Sequence, residues 1–199
     1  MGMGDPDIVT SEPTYHTAEM VRALNAAEPL AWPRYECVYG ELIVSPSPGN
    51  WHQWIAQQLF LRLHAYVEAS RLAATPYMAP ADISWGRSDV TVQPDVFVTP
   101  REMSRAAFRA DAWTPIRHLL LVAEVVSPSS GWADRFRKRR LYQERGVPLY
   151  WIIVPETRTA EIWTPDAEFP LIERERLVWH PEGADEPLEI RLEPLFAEP

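Results

Sequence analysis

Residues 119–126 constrain the fold more than any other part of the chain. They read Leu-Leu-Leu-Val-Ala-Glu-Val-Val, so seven of eight neighbouring positions are apolar. A strand with one face in water alternates apolar and polar residues, whereas a nearly continuous apolar run is typical of a central strand covered on both faces. The run therefore predicts a sheet between two layers. A chain of 199 residues is long enough to bury such a core without disulfides or metal ions.

The flanking patterns predict an α/β fold with a mixed sheet. Residues 51–69 hold no Pro or Gly and place Trp51, Ile55, Leu59 and Leu63 on one stripe, as in an amphipathic helix. Thr17 is expected to cap a short helix. Residues 35–38 and 41–45 are expected to form a hairpin. We predict further strands at residues 78–85, 93–99, 149–154 and 160–164, a helix at 133–145, weak strands near 171–179 and 188–192, and irregular structure at 100–116.

These patterns suggest one domain over residues 17–199, preceded by a flexible lead at residues 1–16 and ending in an acidic, β-rich addition at 155–199. No apolar run approaches the ~18 residues that a membrane span needs, and residues 1–10 lack the features of a secretory signal. Cys37 is the single cysteine, so a disulfide framework within one chain is excluded. We expect a cytoplasmic protein that does not bind membranes.

Two carboxylates stand out as candidates for chemistry. Glu124 lies inside the apolar run, where an unpaired charge costs several kcal/mol or more and must be neutralised, paired or bound to a metal. Asp95 follows a proline at the start of a predicted strand. At the ends of neighbouring strands the two could share a divalent cation, since Mg²⁺ takes one or two carboxylates plus waters. A buried ion pair or simple capping of a strand end would explain either residue equally well.

The helix after Glu124 carries a polar stripe. On a helical wheel Asp134, Lys138, Leu141 and Tyr142 share one face, which suggests that a charged pair faces the sheet. An ordinary surface pair is the alternative. Lys138 is the only lysine among 19 basic residues, and a lysine supplies a compact, tunable charge that arginine does not.

Several neighbouring residues are candidates for binding. Ser127, Ser129 and Ser130 precede the helix, and amides at a helix N-terminus bind anions, although plain capping is the alternative. Arg137 belongs to a set of arginines that either contact phosphates or form a solvated face. His52 starts the long helix and Glu36 lies in the hairpin; a lone histidine is more often structural. Most of the nine tryptophans are expected in the core, with one or two near the site able to stack on bases (Trp51, Trp54, Trp85, Trp113, Trp132).

A set of these residues resembles the Uma-two family of restriction endonucleases, within the PD-(D/E)XK nuclease superfamily. The resemblance runs from about Thr17 to Thr164 and is most specific between Glu124 and Trp151. It is carried by Tyr35-Glu36, Gly40-Glu41, His52, Pro94-Asp95, Glu124-Val125-Val126-Ser127-Pro128-Ser129-Ser130, Asp134, Lys138, Tyr142, Gly146-Val147 and Tyr150-Trp151.

The resemblance implies a restriction-endonuclease-like core, a mixed sheet flanked by helices, with the helix and hairpin at the N-terminal end. Asp95 and Glu124 would hold Mg²⁺ or Mn²⁺ for hydrolysis of DNA phosphodiester bonds. Val126 stands where the superfamily has its lysine, so Lys138 would supply the ammonium group from the following helix. Glu36 or His52 would complete the metal or water shell, and Tyr142 would join the serines and Arg137 at the substrate.

Two other functions remain open at this point. A catalytically silent nuclease fold would act as a DNA-binding or assembly module and would take up no Mg²⁺ or Mn²⁺. A glycosidase also uses two carboxylates, but that activity leaves Lys138 and the basic helix unexplained.

The charge distribution bears on DNA as a partner. The net charge of −9 argues against a general nucleic-acid binder. Residues 101–145, however, carry 10 basic and 5 acidic residues, and phosphate contacts depend on local charge. We therefore expect weak, localised, salt-sensitive DNA binding. Cleavage of both strands by a single-site fold would favour a homodimer.

Overall fold

The computed structural model describes residues 14–28, 30, 32–127 and 131–198. Its elements, in chain order, are α1 (Ala18–Ala27), β1 (Arg34–Val38), β2 (Glu41–Ser45), α2 (Asn50–Ala69), β3 (Ala74–Met78), β4 (Val96–Pro100), α3 (Arg101–Ala110), β5 (Leu121–Val125), a π-helical segment (Ala133–Lys138), α4 (Arg139–Glu144), β6 (Tyr150–Val154), β7 (Thr159–Trp163), β8 (Leu171–Glu173), β9 (Arg176–Trp179), β10 (Leu188–Arg191) and α5 (Leu192–Leu195).

A six-stranded mixed sheet organises the fold. Its strand order is β3-β4-β5-β6-β7-β8, and β5 and β6 run parallel while the other neighbours are antiparallel. Two antiparallel pairs, β1-β2 and β9-β10, lie outside this sheet. The mixed α/β architecture predicted from the sequence is confirmed.

The central strand β5 is buried on both faces, as its apolar run predicts. Leu121, Ala123 and Val125 belong to one hydrophobic cluster, together with α2, β9, β10 and α5. Val122 belongs to a second cluster on the opposite face, together with Leu141 and other residues around the hairpin and α4. Because side chains alternate along a strand, Glu124 lies on the same face as Val122.

Helix α2 covers the first face. Ile55, Leu59, Leu63 and Val67 recur at spacings of four residues and are fully buried, so they form the apolar stripe that the sequence predicts.

A pair of leucines on α2 tests this assignment. Leu59→Ala is expected to lower the free energy of unfolding by about 2–5 kcal/mol, because it deletes a fully buried side chain and leaves a cavity. Leu61→Ala, on the same helix but 48% exposed, should cost less than about 0.5 kcal/mol. Urea unfolding monitored by circular dichroism measures both. Equal costs would contradict the assigned helix face.

Two local predictions are wrong. Residues 78–85 do not form a strand: β3 ends at Met78, and the chain then leaves the sheet, with one isolated bridge between Ile83 and Val92. The true strand contains Pro76, which is tolerated because β3 is at the sheet edge. Residues 101–110 form helix α3 rather than irregular structure, with Ser104 and Ala107 buried and an end at the left-handed Asp111.

The C-terminal segment is part of the core. Residues 155–199, expected as a β-rich addition, supply β7 and β8 to the sheet and bury Leu177, Trp179, Leu192 and Leu195 beside α2. Residues 1–13 lie outside the described part of the chain. No helix among the described residues is long and apolar enough to cross a membrane.

Candidate active site

The geometry of the sheet brings Asp95 and Glu124 together. Strand β4 pairs antiparallel with β5, and Val96 lies opposite Ala123, so the start of β4 is beside the end of β5. The backbone amide of Asp95 donates to Oε2 of Glu124 at 3.2 Å, and the amide of Val125 donates to Oδ2 of Asp95 at 2.9 Å. The two carboxylates thus meet at the ends of neighbouring strands.

Glu124 is buried, with 3% of its surface exposed, and its other oxygen is fully engaged. Nζ of Lys138 lies 3.1 Å from Oε1, and the hydroxyl of Tyr142 donates to the same atom at 3.0 Å. Tyr142, expected at the substrate, is itself fully buried. It holds Glu124 in place instead.

Lys138 stands among three buried carboxylates. Besides Glu124, its Nζ lies 2.9 Å from Oε2 of Glu36 and 3.4 Å from Oδ1 of Asp134. Glu36 comes from β1, and its Oε1 accepts the backbone amide of Gln93 at 2.6 Å. The hairpin, the residues before β4 and the π-helical segment therefore converge on one ammonium group.

The helix that carries Lys138 differs from the predicted regular helix. Residues Ala133–Lys138 are π-helical, and the amide of Arg139 donates to the carbonyl of Asp134, five residues back. The hydroxyl of Tyr150 donates to the same carbonyl at 3.1 Å. Such π segments occur frequently at functional sites. The predicted shared face is confirmed, because Asp134, Lys138 and Tyr142 are all buried.

His52, in the first turn of α2, contacts Asp95. Its Nε2 lies 3.0 Å from Oδ2 of Asp95, and no described residue hydrogen-bonds to its buried Nδ1. Burial favours the neutral carboxyl at Asp95, but the hydrogen bond and charge of His52, with the Val125 amide and Lys138, outweigh it and lower the pKa of Asp95. Burial also opposes protonation of His52, yet Asp95 raises the pKa of the imidazole.

The cluster carries more negative than positive charge. Four carboxylates, from Glu36, Asp95, Glu124 and Asp134, surround one ammonium and one imidazole. Burial raises the pKa of Glu124 well above its ordinary value; Lys138 opposes this, and the other three carboxylates reinforce it. Burial alone would lower the pKa of Lys138, but the surrounding carboxylates raise it well above its usual range. The site therefore has a charged lysine, and its carboxylates outnumber its positively charged groups.

Two adjoining cavities open at this cluster. The first, which we name the acidic cavity, has about 180 Å³ and is lined by Glu36, Asp95, Glu124, Asp134 and Lys138, with Ser127 and His52 at its wall. The second, which we name the cleft, has about 770 Å³ and runs along the start of α2. Trp32, Arg34, Pro48, His52, Gln93 and Asp95 line both.

The remaining predicted binding residues fall into different places. Ser127 lines the acidic cavity, whereas Ser129 and Ser130 lie outside the described residues. Arg137 does not line the acidic cavity. Its Nη2 lies 2.6 Å from Oε2 of Glu41, and its guanidinium carbon is 4.7 Å from the centre of the Trp132 ring.

Three arginines on the basic face of the helix form ion pairs. Arg135 pairs with Glu161 and Arg140 with Glu144, as Arg137 does with Glu41. This arrangement reduces the positive charge that the helix offers to phosphates, and it could not be read from charge counts.

Two residues at the site, Arg34 and Gln93, were not singled out by the sequence. Asp134 was marked by its place four residues before Lys138 on the same helix face. Arg34 shares a strand face with Glu36 by the two-residue period of β1. Gln93 had no sequence signal beyond its place before Pro94, and its role depends on packing. Its side-chain Nε2 donates to Oδ1 of Asp82 at 2.6 Å.

Comparisons with known proteins agree with this architecture. The family model described as "Uma2: Putative restriction endonuclease" matches residues 23–192. A crystal structure titled as a "putative nuclease belonging to DUF820", from Anabaena variabilis ATCC 29413, superposes with a TM-score of 0.68 at 21% identity, covering 82% of this chain and 90% of that one. At that identity the likeness shows a shared fold. A search of curated proteins gave no match. Because the family model spans most of the sequence and includes every element of the site, the chain belongs to the Uma2 family.

Proposed function

We propose that this protein is a divalent-metal-dependent endonuclease that hydrolyses DNA phosphodiester bonds, with Asp95 and Glu124 holding Mg²⁺ or Mn²⁺. The observation that carries the proposal is the meeting of these two carboxylates at the ends of β4 and β5, with Lys138 3.1 Å from Glu124. The family described as restriction endonucleases supports the reaction class. Two acids on neighbouring strands resemble the pattern of the PD-(D/E)XK nucleases, with Lys138 on the following helix in place of the lysine expected at Val126.

The residues present fit a magnesium ion. The Val125 amide and His52 both contact Oδ2 of Asp95. Oδ1 of Asp95 accepts no hydrogen bond from any described residue. Oε2 of Glu124 accepts only a backbone amide among the described residues. Within the described part of the chain, no group of three His, Cys, Asp or Glu side chains is arranged to hold a metal. Mg²⁺ needs only one or two carboxylates, with waters and phosphate oxygens completing its shell.

The surplus of negative charge also supports a cation. Four carboxylates face one lysine and one histidine in a cavity of about 180 Å³. Uncompensated charge in a buried site is unfavourable, and a divalent ion at Asp95 and Glu124 would remove the excess. When bound, such an ion polarises the scissile phosphate and lowers the pKa of a coordinated water.

The protein's own groups would then divide the remaining work. Lys138 stays protonated and neutralises negative charge that develops on the phosphate, in place of the superfamily lysine at the position that Val126 occupies. Val126 is 4% exposed and has no polar side chain to offer. Tyr142 and His52 orient Glu124 and Asp95, respectively. Arg34 lines both cavities without a carboxylate partner among the described residues, so it would hold the phosphate between them.

Titration calorimetry with MgCl₂ or MnCl₂ tests the metal site. Wild-type protein is expected to take up one ion per chain. Asp95→Asn and Glu124→Gln should each weaken binding by about tenfold or more, because each removes a charged ligand. Asp166→Asn and Glu168→Gln, at exposed positions, serve as matched controls and should bind normally. Absence of uptake by the wild type would contradict the proposal and favour a catalytically silent DNA-binding or assembly module.

A further inference from the structure

We infer that the cleft binds unpaired nucleotides, so that the substrate enters the site as a single strand or with bases turned out of the duplex. The inference rests on the proposed nuclease function, since it names the substrate of the same site. The cleft of about 770 Å³ shares Arg34, His52 and Asp95 with the acidic cavity. A strand cut at Asp95 must therefore place its neighbouring nucleotides in or beside the cleft.

The lining of the cleft suits bases better than a duplex backbone. Asn50, Gln53 and Gln57 recur along one face of α2 and are exposed. Amide side chains offer both donors and acceptors, as the edges of bases do. Trp32 and Trp54 also line the cleft, and aromatic rings stack on bases of any sequence.

These aromatic rings are held in place. The guanidinium carbon of Arg34 lies 4.6 Å from the centre of the Trp32 ring, and Nε1 of Trp54 donates to the carbonyl of Ala197 at 3.0 Å. A pre-ordered ring loses little conformational freedom when a base stacks on it.

The charge of the cleft argues against binding of intact duplex. Among the described residues, Arg34 is the only lysine or arginine that lines it, and Asp95 the only carboxylate. Duplex binding depends on several lysine or arginine contacts to phosphates, whereas stacking of an unpaired base adds binding energy that does not come from phosphate contacts. The helix beside the site offers less free positive charge than its arginine count suggests, because Arg135, Arg137 and Arg140 are paired with carboxylates.

Fluorescence anisotropy in EDTA tests this inference without cleavage. The probes are labelled oligonucleotides of one sequence as single-stranded DNA, single-stranded RNA and blunt DNA duplex. Wild-type protein is expected to bind a single strand about tenfold or more tightly than the duplex. Comparison of the two single strands identifies which sugar the cleft prefers. Equal or tighter binding of the duplex would overturn the inference.

Cleft variants locate the binding. Trp32→Ala should weaken single-strand binding about fivefold or more, the effect of losing one stacked base. The double variant Gln53→Ala/Gln57→Ala changes only exposed residues and should weaken it about threefold or more. Trp132→Ala, which removes an exposed tryptophan outside the cleft, and Gln58→Ala on another face of α2 are the controls. Losses equal in the controls, or none in the cleft variants, would refute the cleft as the binding site.

The metal-free readout separates the two proposals. A protein that binds single strands through the cleft but cleaves nothing with Mg²⁺ or Mn²⁺ would retain this inference and lose the nuclease function. A protein that cleaves nucleic acid while its cleft variants bind single strands normally would retain the nuclease function and lose this inference.

Discussion

Asp95→Asn and Glu124→Gln are each expected to lower metal-dependent DNA cleavage by about a thousandfold or more, because a metal centre contributes several kcal/mol of transition-state stabilisation and each change removes one of its two charged ligands. The measurement is the initial rate of nicking and linearisation of plasmid, and of cleavage of single-stranded and branched DNA, in Mg²⁺ and in Mn²⁺. Activity that survives in both variants would refute the proposed catalytic roles.

The folded state should tolerate these two changes. Glu124→Gln replaces a carboxylate by an amide of the same shape where burial and the other three carboxylates raise its pKa, so the repulsion within the cluster falls. Asp95→Asn also keeps the shape, but it gives up the charge that His52 stabilises, so a small loss of stability is expected. We expect the thermal midpoint of Glu124→Gln to equal or exceed that of the wild type. Asp166→Asn and Glu168→Gln provide matched controls at exposed positions and should keep full activity. A variant that loses activity and also melts at a much lower temperature would point to misfolding.

Lys138→Met is expected to lower the free energy of unfolding by about 3–5 kcal/mol, the usual result of removing one partner from a buried ion pair. The ammonium contacts Glu36, Glu124 and Asp134 and is 4% exposed, so its loss leaves three buried carboxylates without their cation. Arg137→Met is the control: the Arg137–Glu41 pair is partly exposed and should be worth about 1 kcal/mol or less. Urea unfolding measures both.

The pH dependence of Lys138→Met has a definite sign. Burial already raises the pKa of Glu124 above its ordinary value, against the opposing effect of Lys138, and loss of that ammonium raises it further. A carboxyl with a higher pKa in the folded state stabilises that state at low pH, and this stabilisation disappears as pH rises through the folded value. The variant should therefore lose less stability near pH 5 than near pH 8. A cost independent of pH would show that packing, and not charge, accounts for it.

The carboxylates of the site could be found from the sequence because each breaks a strong local pattern. Glu124 interrupts a run in which all seven remaining residues are apolar, and burial of a lone charge there is expensive. Lys138 and Asp134 fall on the apolar face of a helix. Strand β3 is harder to predict from the sequence, because Pro76 looks incompatible with a strand until its place at the sheet edge is known. Helix α3 was also missed.

Contacts between distant segments could not be found in this way. The pairing of Arg135 with Glu161 and of Arg137 with Glu41 joins residues from different elements, so the basic stretch at 101–145 suggested more free positive charge than the surface offers. Neither the cleft nor the presence of Arg34, Gln53 and Asp95 in its lining has a signature in the spacing of residues.

The sequence by itself determined the central buried strand, the helices that cover it and the residue types available for chemistry. Periodicity and the cost of burying charge act locally, and both can be read from the order of residues. Only the tertiary structure decided that four carboxylates surround one lysine and one histidine and that the cleft opens beside them. These features arise where β1, β4, β5 and the π-helical segment Ala133–Lys138 meet. Distances between such distant parts of the chain depend on how the elements pack.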